Sequence, residues 1–153
     1  MTSDMEEYSK VLDRLQAQCS KREYCVRDVR DKALKALEGD ASAADEVVAS
    51  LVQDKYVDEV RYAGAFAREK AHLTGWGPLK ISMALSAKGI PREAIKAALE
   101  DAADDEAMAR LEALLRAKAR TVEGEADAKL RLIRFALQRG YNYDQVKVAI
   151  EKI

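Results

Sequence analysis

Lys88-Gly89-Ile90-Pro91-Arg92-Glu93 lies between two apolar stripes of helical spacing: Leu79, Ile81, Met83 and Leu85 before it, and Ala94, Ile95, Ala98 and Leu99 after it. Glycine closes a helix because it can take the left-handed conformation there, and proline is tolerated where a helix opens because its missing N–H has no intrahelical partner. The segment therefore reads as helix, sharp turn, helix.

Working outward, the pattern continues in both directions. Upstream, Thr74-Gly75-Trp76-Gly77-Pro78 is the clearest break, with Pro78 in the first turn of the helix it opens. Lys55-Tyr56-Val57-Asp58 is a tight turn between a helix carrying Val47, Val48, Leu51 and Val52 and one carrying Val60, Ala63, Phe66 and Ala67. Residues 40–45 form a small polar linker. Ser20-Lys21-Arg22-Glu23 reads as a capping box, opening a helix with Val26, Val29, Ala33, Leu34 and Leu37 inward and Gly39 as its stop. A first helix is expected over about residues 5–17, with Val11, Leu12 and Leu15 inward. Downstream, helices are expected near 105–121, 127–139 and from 142 to the end, about nine in all.

Composition agrees. Ala, Leu, Glu, Lys and Arg dominate, aromatic residues are scarce, and 7 Gly and 2 Pro punctuate 153 residues, which suits solvated helices with one apolar face. The fold class is all-α. No apolar run approaches the roughly 20 residues of a membrane span. The first eight residues are polar and acidic, unlike a targeting peptide, so a cytoplasmic protein is expected. Cys19 and Cys25 fall on different faces of a helix and the sole histidine is His72, so neither a disulfide nor a metal site is expected, and no cofactor. His72 has no evident Ser or Cys partner, Cys25 reads as a small core residue, and Gly75-Trp76-Gly77 lacks the Lys-Ser/Thr of a phosphate loop. A non-enzymatic protein is the expectation.

The turns can be laid over one another. Taking Cys19, Lys55, Gly89 and Gly140 as equivalent, the next residues are Ser20, Tyr56, Ile90 and Tyr141, and four positions on stand Glu23, Glu59, Glu93 and Asp144. An acid in a helix's first turn favours the positive end of its dipole. Each unit is too short to bury its stripe alone, so neighbours must stack. The expected organisation is an N-terminal helix (1–18), then helix–turn–helix repeats over 19–72, 73–102 and 103–153, stacked as one continuous array.

These residues resemble the RecX family. The resemblance rests on Cys19-Ser20-Lys21-Arg22-Glu23-Tyr24-Cys25; on Leu51, Lys55, Tyr56, Asp58, Glu59, Arg61, Tyr62 and Ala63, with Phe66 following; on Gly75-Trp76-Gly77-Pro78 with Lys88-Gly89-Ile90; and on Arg139-Gly140-Tyr141. It covers roughly residues 15–152. Lys55 stands where the family usually has glycine, and Glu59 where it has a second aspartate. The resemblance implies an elongated, curved array of tandem three-helix units that lies along the RecA–DNA filament. It implies a regulator that inhibits RecA's ATP hydrolysis and strand exchange within recombination, DNA repair and the SOS response.

Charge distribution suggests where a partner would sit. Residues 70–99 hold five basic residues against one acid and 107–139 hold eight against four, with Glu100, Asp101, Asp104, Asp105 and Glu106 between them. Stacked units would let Lys80, Lys88, Arg92 and Lys96 join Arg131 and Arg134 on a basic surface facing an acidic partner or filament phosphates, while for any one of them taken alone a solvated helix face is the better reading. Trp76 either plugs the gap between repeats or anchors a partner. Net charge is −1 and the isoelectric point is near 6, so weak or indirect DNA contact is expected, with no membrane association and a monomeric state. A direct DNA-binding helix-turn-helix module and a generic helical scaffold are the competing readings.

Overall fold

The structure, a computed structural model, describes residues 2–153, and side chains from Asp4 onward. Among these residues nine α-helices follow one another with no strand: α1 (Thr2–Lys21), α2 (Val26–Ala36), α3 (Ala41–Gln53), α4 (Glu59–Glu69), α5 (Pro78–Ala87), α6 (Arg92–Ala102), α7 (Ala107–Thr121), α8 (Ala128–Gln138) and α9 (Tyr143–Lys152). A π-helical turn, Lys70–Thr74, extends α4. No helix among the described residues is long and apolar enough to cross a membrane.

The helices group by threes through the cores they share. The first core gathers Val11 and Leu15 of α1, Val29 and Ala33 of α2, and Val47, Val48 and Leu51 of α3. The second holds Tyr62, Ala63 and Ala67 of α4, Ile81 and Leu85 of α5, and Ile95, Ala98 and Ala102 of α6. The third joins Leu111 and Leu115 of α7, Leu132 and Ala136 of α8, and Val146 and Ala149 of α9. Helix α4 thus shares its core with α5 and α6, whereas the expected repeat 19–72 placed it with α2 and α3.

That grouping explains the repeat. Gly39, Gly89 and Gly140 each join the second helix of a unit to the third, each with positive φ, about 50 residues apart. Lys55 instead lies between units and Cys19 lies inside α1, so the four-turn superposition equated turns of different kinds. The capping box at Ser20 is also corrected. Helix α1 runs on through Ser20, whose hydroxyl donates to the Gln16 carbonyl (2.9 Å). Helix α2 opens instead at Cys25, whose N–H donates to the Asp28 carboxylate (3.4 Å).

Not every expected core residue is inside. Helix α5 carries apolar residues on two faces: Ile81 and Leu85 are buried, while Leu79 and Met83 are 53% and 74% exposed on the other. Val52 and Val60 are exposed for the same reason, since Val48 and Leu51, or Ala63 and Ala67, already fill the inward stripe of their helices.

Candidate functional site

The sequence from Thr74 to Lys80 meets the α8–α9 turn, and that contact positions the candidate surface. The Gly77 N–H donates to the Arg139 carbonyl (2.7 Å) and the Leu79 N–H to the Gly140 carbonyl (2.8 Å). Arg139 Nη1 donates to the Thr74 carbonyl (3.1 Å), and the Tyr141 hydroxyl to the Gly75 carbonyl (3.3 Å). Burial raises the Tyr141 hydroxyl pKa, with Arg110 and Arg139 opposing, so it stays a neutral donor. Glycine at 77 and 140 lets two main chains approach this closely.

Around the joint lies a ladder of cations and rings. Lys70 Nζ and Lys80 Nζ lie 4.9 and 4.5 Å from the centre of the Trp76 ring, which packs edge-on against Phe66 at 6.2 Å. The ring is half-buried against the second core. One helical turn back from Arg139, Phe135 carries the Arg139 guanidinium at 5.2 Å and Lys118 Nζ at 5.4 Å. Lys118, Arg131, Arg134, Phe135 and Gln138 line a shallow groove between α7 and α8. Each such cation–ring contact contributes about 0.5–1 kcal/mol where exposed.

The expected site residues divide. Lys80 and Trp76 come together at the joint, and Arg131 and Arg134 share the α7–α8 groove. Arg131 is tied to Asp127 (3.1 Å) and Glu125 (2.8 Å), and those two acids raise its pKa, Asp127 most. Lys88 turns away, to Asp28 of the first unit (2.8 Å). Arg92 and Lys96 are exposed on α6 and, like Arg134, form no ion pair among the described residues. Sequence reading missed Lys70, Lys118, Phe135 and Arg139. Only Arg139 carried a visible signal, its place beside Gly140.

Two of the acids around the end of α6 are paired. Asp101, in the last turn of α6, pairs with Arg68 of α4 (2.9 Å), and Asp104, in the α6–α7 linker, with Arg110 of α7 (3.0 Å) and His72 of the π-helical turn (3.4 Å). Hydrogen bonding from Arg110, which outweighs desolvation, holds the Asp104 carboxyl below the usual range. Cys19 and Cys25 are free thiols buried in different cores, and no cluster of three or more metal-ligating side chains occurs among the described residues.

Two consecutive family models match this chain: the RecX second three-helix domain over residues 58–99 and the RecX third three-helix domain over 104–150, together more than half of its length. The chain belongs to the RecX family. The regulatory protein RecX of Salmonella typhimurium is 27% identical over 155 residues, covering 95% of this chain and 93% of that protein. The regulatory protein RecX of Leuconostoc mesenteroides is 27% identical over 132 residues, 85% of this chain; the chain spans about half of that longer protein, 49%. The crystal structure of RecX from Lactobacillus salivarius superposes with a TM-score of 0.83 at 21% identity, covering 97% of each chain, which shows the fold. In RecX terms, the Trp76–Arg139 joint is the boundary at which the second and third three-helix domains meet.

Proposed function

We propose that this RecX-family chain is a regulator that binds the RecA recombinase filament and restrains its DNA-dependent ATP hydrolysis and strand exchange. The observation that carries the reading is the match of two successive three-helix units to the RecX domain models, in order and adjacent, with relatives named regulatory protein RecX along nearly the whole chain.

The contact surface in this reading is the ladder across the second and third units. Lys80 and Trp76 belong to it with Lys70, Arg139, Lys118 and Arg134, while Arg92 and Lys96, exposed on α6 and free of ion pairs among the described residues, are further candidate contacts. Lys88 and Arg131 have internal acidic partners to leave before they could engage another molecule. A net charge of −1 supports a role for protein contacts over autonomous DNA affinity. The three cores are completed within one chain, which supports a monomer.

Titrating the protein into RecA on single-stranded DNA tests the reading. ATP hydrolysis should fall at equal or lower amounts of this protein than of RecA, and binding to bare DNA should be weak at physiological salt. Unaltered RecA turnover across the titration, with tight binding to bare DNA instead, would replace this reading with the DNA-binding module.

A further inference from the structure

The joint between the first and second units is built from different chemistry than the joint between the second and third. The latter closes through main-chain hydrogen bonds at Gly77 and Gly140. The former crosses the Lys55-Tyr56-Val57 turn and is held largely by charged side chains. Asp28 of α2 meets Lys88 at the end of α5 (2.8 Å), and the Arg27 guanidinium meets the Ala87 carbonyl. Glu59 accepts from the Val26 N–H (2.7 Å). Cys25 is the apolar group the first unit inserts into the second core.

Arg61, in the first turn of α4, sits at the centre of this joint. Its Nη2 donates to the carbonyls of Lys55 (3.1 Å) and Tyr56 (3.2 Å), and its Nε donates to Glu23 (2.5 Å), on the segment joining α1 to α2. One planar guanidinium thus grips the inter-unit turn and the α1–α2 segment of the first unit together. Lysine, a single ammonium on a flexible stem, has no matching fork. The Arg61 and Glu23 side chains are 44% and 26% exposed, so their attraction is open to screening by salt, whereas the Gly77–Arg139 main-chain bonds are not ionic.

We propose that Arg61 is a positioning residue that sets the angle between the first unit and the rest of the array, as an ionic latch whose release lets the first unit swing. The array then has one stiff joint and one adjustable joint. Arg61 makes no contact with Trp76, Lys80 or Arg139, so it acts on any partner through the shape of the array. This inference goes beyond the RecA reading and stands or falls without it, because its test contains no RecA.

Distance measurements between paired spin labels on the full chain test it. Labels at exposed sites through Ser42→Cys and Ala97→Cys span the first joint, and labels through Ala97→Cys and Lys147→Cys span the second; native Cys19 and Cys25 are buried. Arg61→Ala is expected to shift and broaden the first distribution and leave the second unchanged, and Arg61→Lys to fail to restore it. Raising salt to about 1 M should broaden the first distribution of the parent protein alone. Glu23→Gln keeps the carbonyl bonds of Arg61 and should give an intermediate broadening with an unchanged melting temperature, which keeps the test decisive should Arg61→Ala fold poorly. A first distribution that stays narrow in Glu23→Gln and in high salt overturns the proposal, as does equal broadening of both pairs.

Discussion

Gly77 and Gly140 meet main chain to main chain: a Cβ on Gly77 would lie 2.4 Å from the Gly140 carbonyl carbon, and one on Gly140 would lie 2.5 Å from the Lys80 amide nitrogen. Neither neighbour is a flexible side-chain end, so an added methyl must push the second and third units apart. Gly140 also has φ +99, a conformation a side chain rarely adopts. Gly77→Ala is predicted to cost about 2 kcal/mol and Gly140→Ala about 3 kcal/mol or more. Urea denaturation measures both, and midpoints within error of the parent would show that the joint has slack.

Lys55 holds φ +64, in the left-handed region, at the turn between the first and second units. The cost for a side-chain-bearing residue there is roughly 1–2 kcal/mol, against about 0.5–1 kcal/mol of extra chain entropy that glycine loses on folding. Lys55→Gly is therefore predicted to stabilise by about 0.5 kcal/mol. The Arg61 guanidinium donates to the main-chain carbonyl at position 55, so that bond survives the change. A drop in the denaturation midpoint would mean that the lysine side chain has a role the contacts do not reveal.

Acid should loosen the first joint. Burial pushes the Asp28 carboxyl up, but hydrogen bonds from Lys88 and Cys25 more than reverse this and hold it below its ordinary 3.8. Asp58, which caps α4, is held down mainly by the Arg61 N–H. Each is more acidic folded than unfolded, so its stabilisation is complete above about pH 4 and is lost as pH falls through the lower folded value. Stability measured from pH 7 downward should be flat as far as these two groups contribute, then decline below pH about 4. Asp28→Asn should make that decline shallower; an unchanged slope would remove Asp28 from the account.

Much of this fold was readable because glycine and proline mark turns, and because apolar spacing marks faces. The three-helix period was partly hidden. Gly89 and Gly140 aligned correctly, but Lys55 imitates them with the same left-handed backbone at a turn of another kind, and Gly39 is their true counterpart. Ser20 and Glu23 matched a capping pattern that α1 overrides by running through it, since Cys19 and Leu15 still have a core to fill. At the candidate surface, net charge along the chain located the basic stretches but not their pairing. That Lys88 faces Asp28, 60 residues away, and that Arg139 covers Phe135 depends on how units dock, which local spacing does not encode.

Trp76 serves the fold first. Its ring packs edge-on with Phe66 at 6.2 Å, and its N–H main-chain bond to the Lys70 carbonyl (2.8 Å) closes the π-helical turn. Lys70 and Lys80 lie over the ring. Trp76→Ala is predicted to destabilise by about 2–3 kcal/mol, toward the lower end for an aromatic truncation because the ring is only half-buried. Thermal unfolding checks this. A variant of parental stability that loses binding to RecA would instead make Trp76 an anchor for the partner.

Arg134 separates partner binding from stability most cleanly. It is exposed on α8, forms no ion pair among the described residues, and lines the groove with Lys118 and Phe135. Reversing its charge removes no internal contact, so Arg134→Glu should shift stability by no more than about 0.5 kcal/mol. If this groove meets an acidic or phosphate-bearing surface of the RecA filament, the same change should weaken suppression of ATP hydrolysis about tenfold, with the loss shrinking as salt is raised. Arg131→Glu is a less clean probe, because it also places a third acid beside Glu125 and Asp127 and should lower stability. Inhibition curves for the parent and Arg134→Glu at two salt concentrations decide it: superimposable curves would move the binding surface off the α7–α8 groove and leave the Trp76–Arg139 joint as the place to test next.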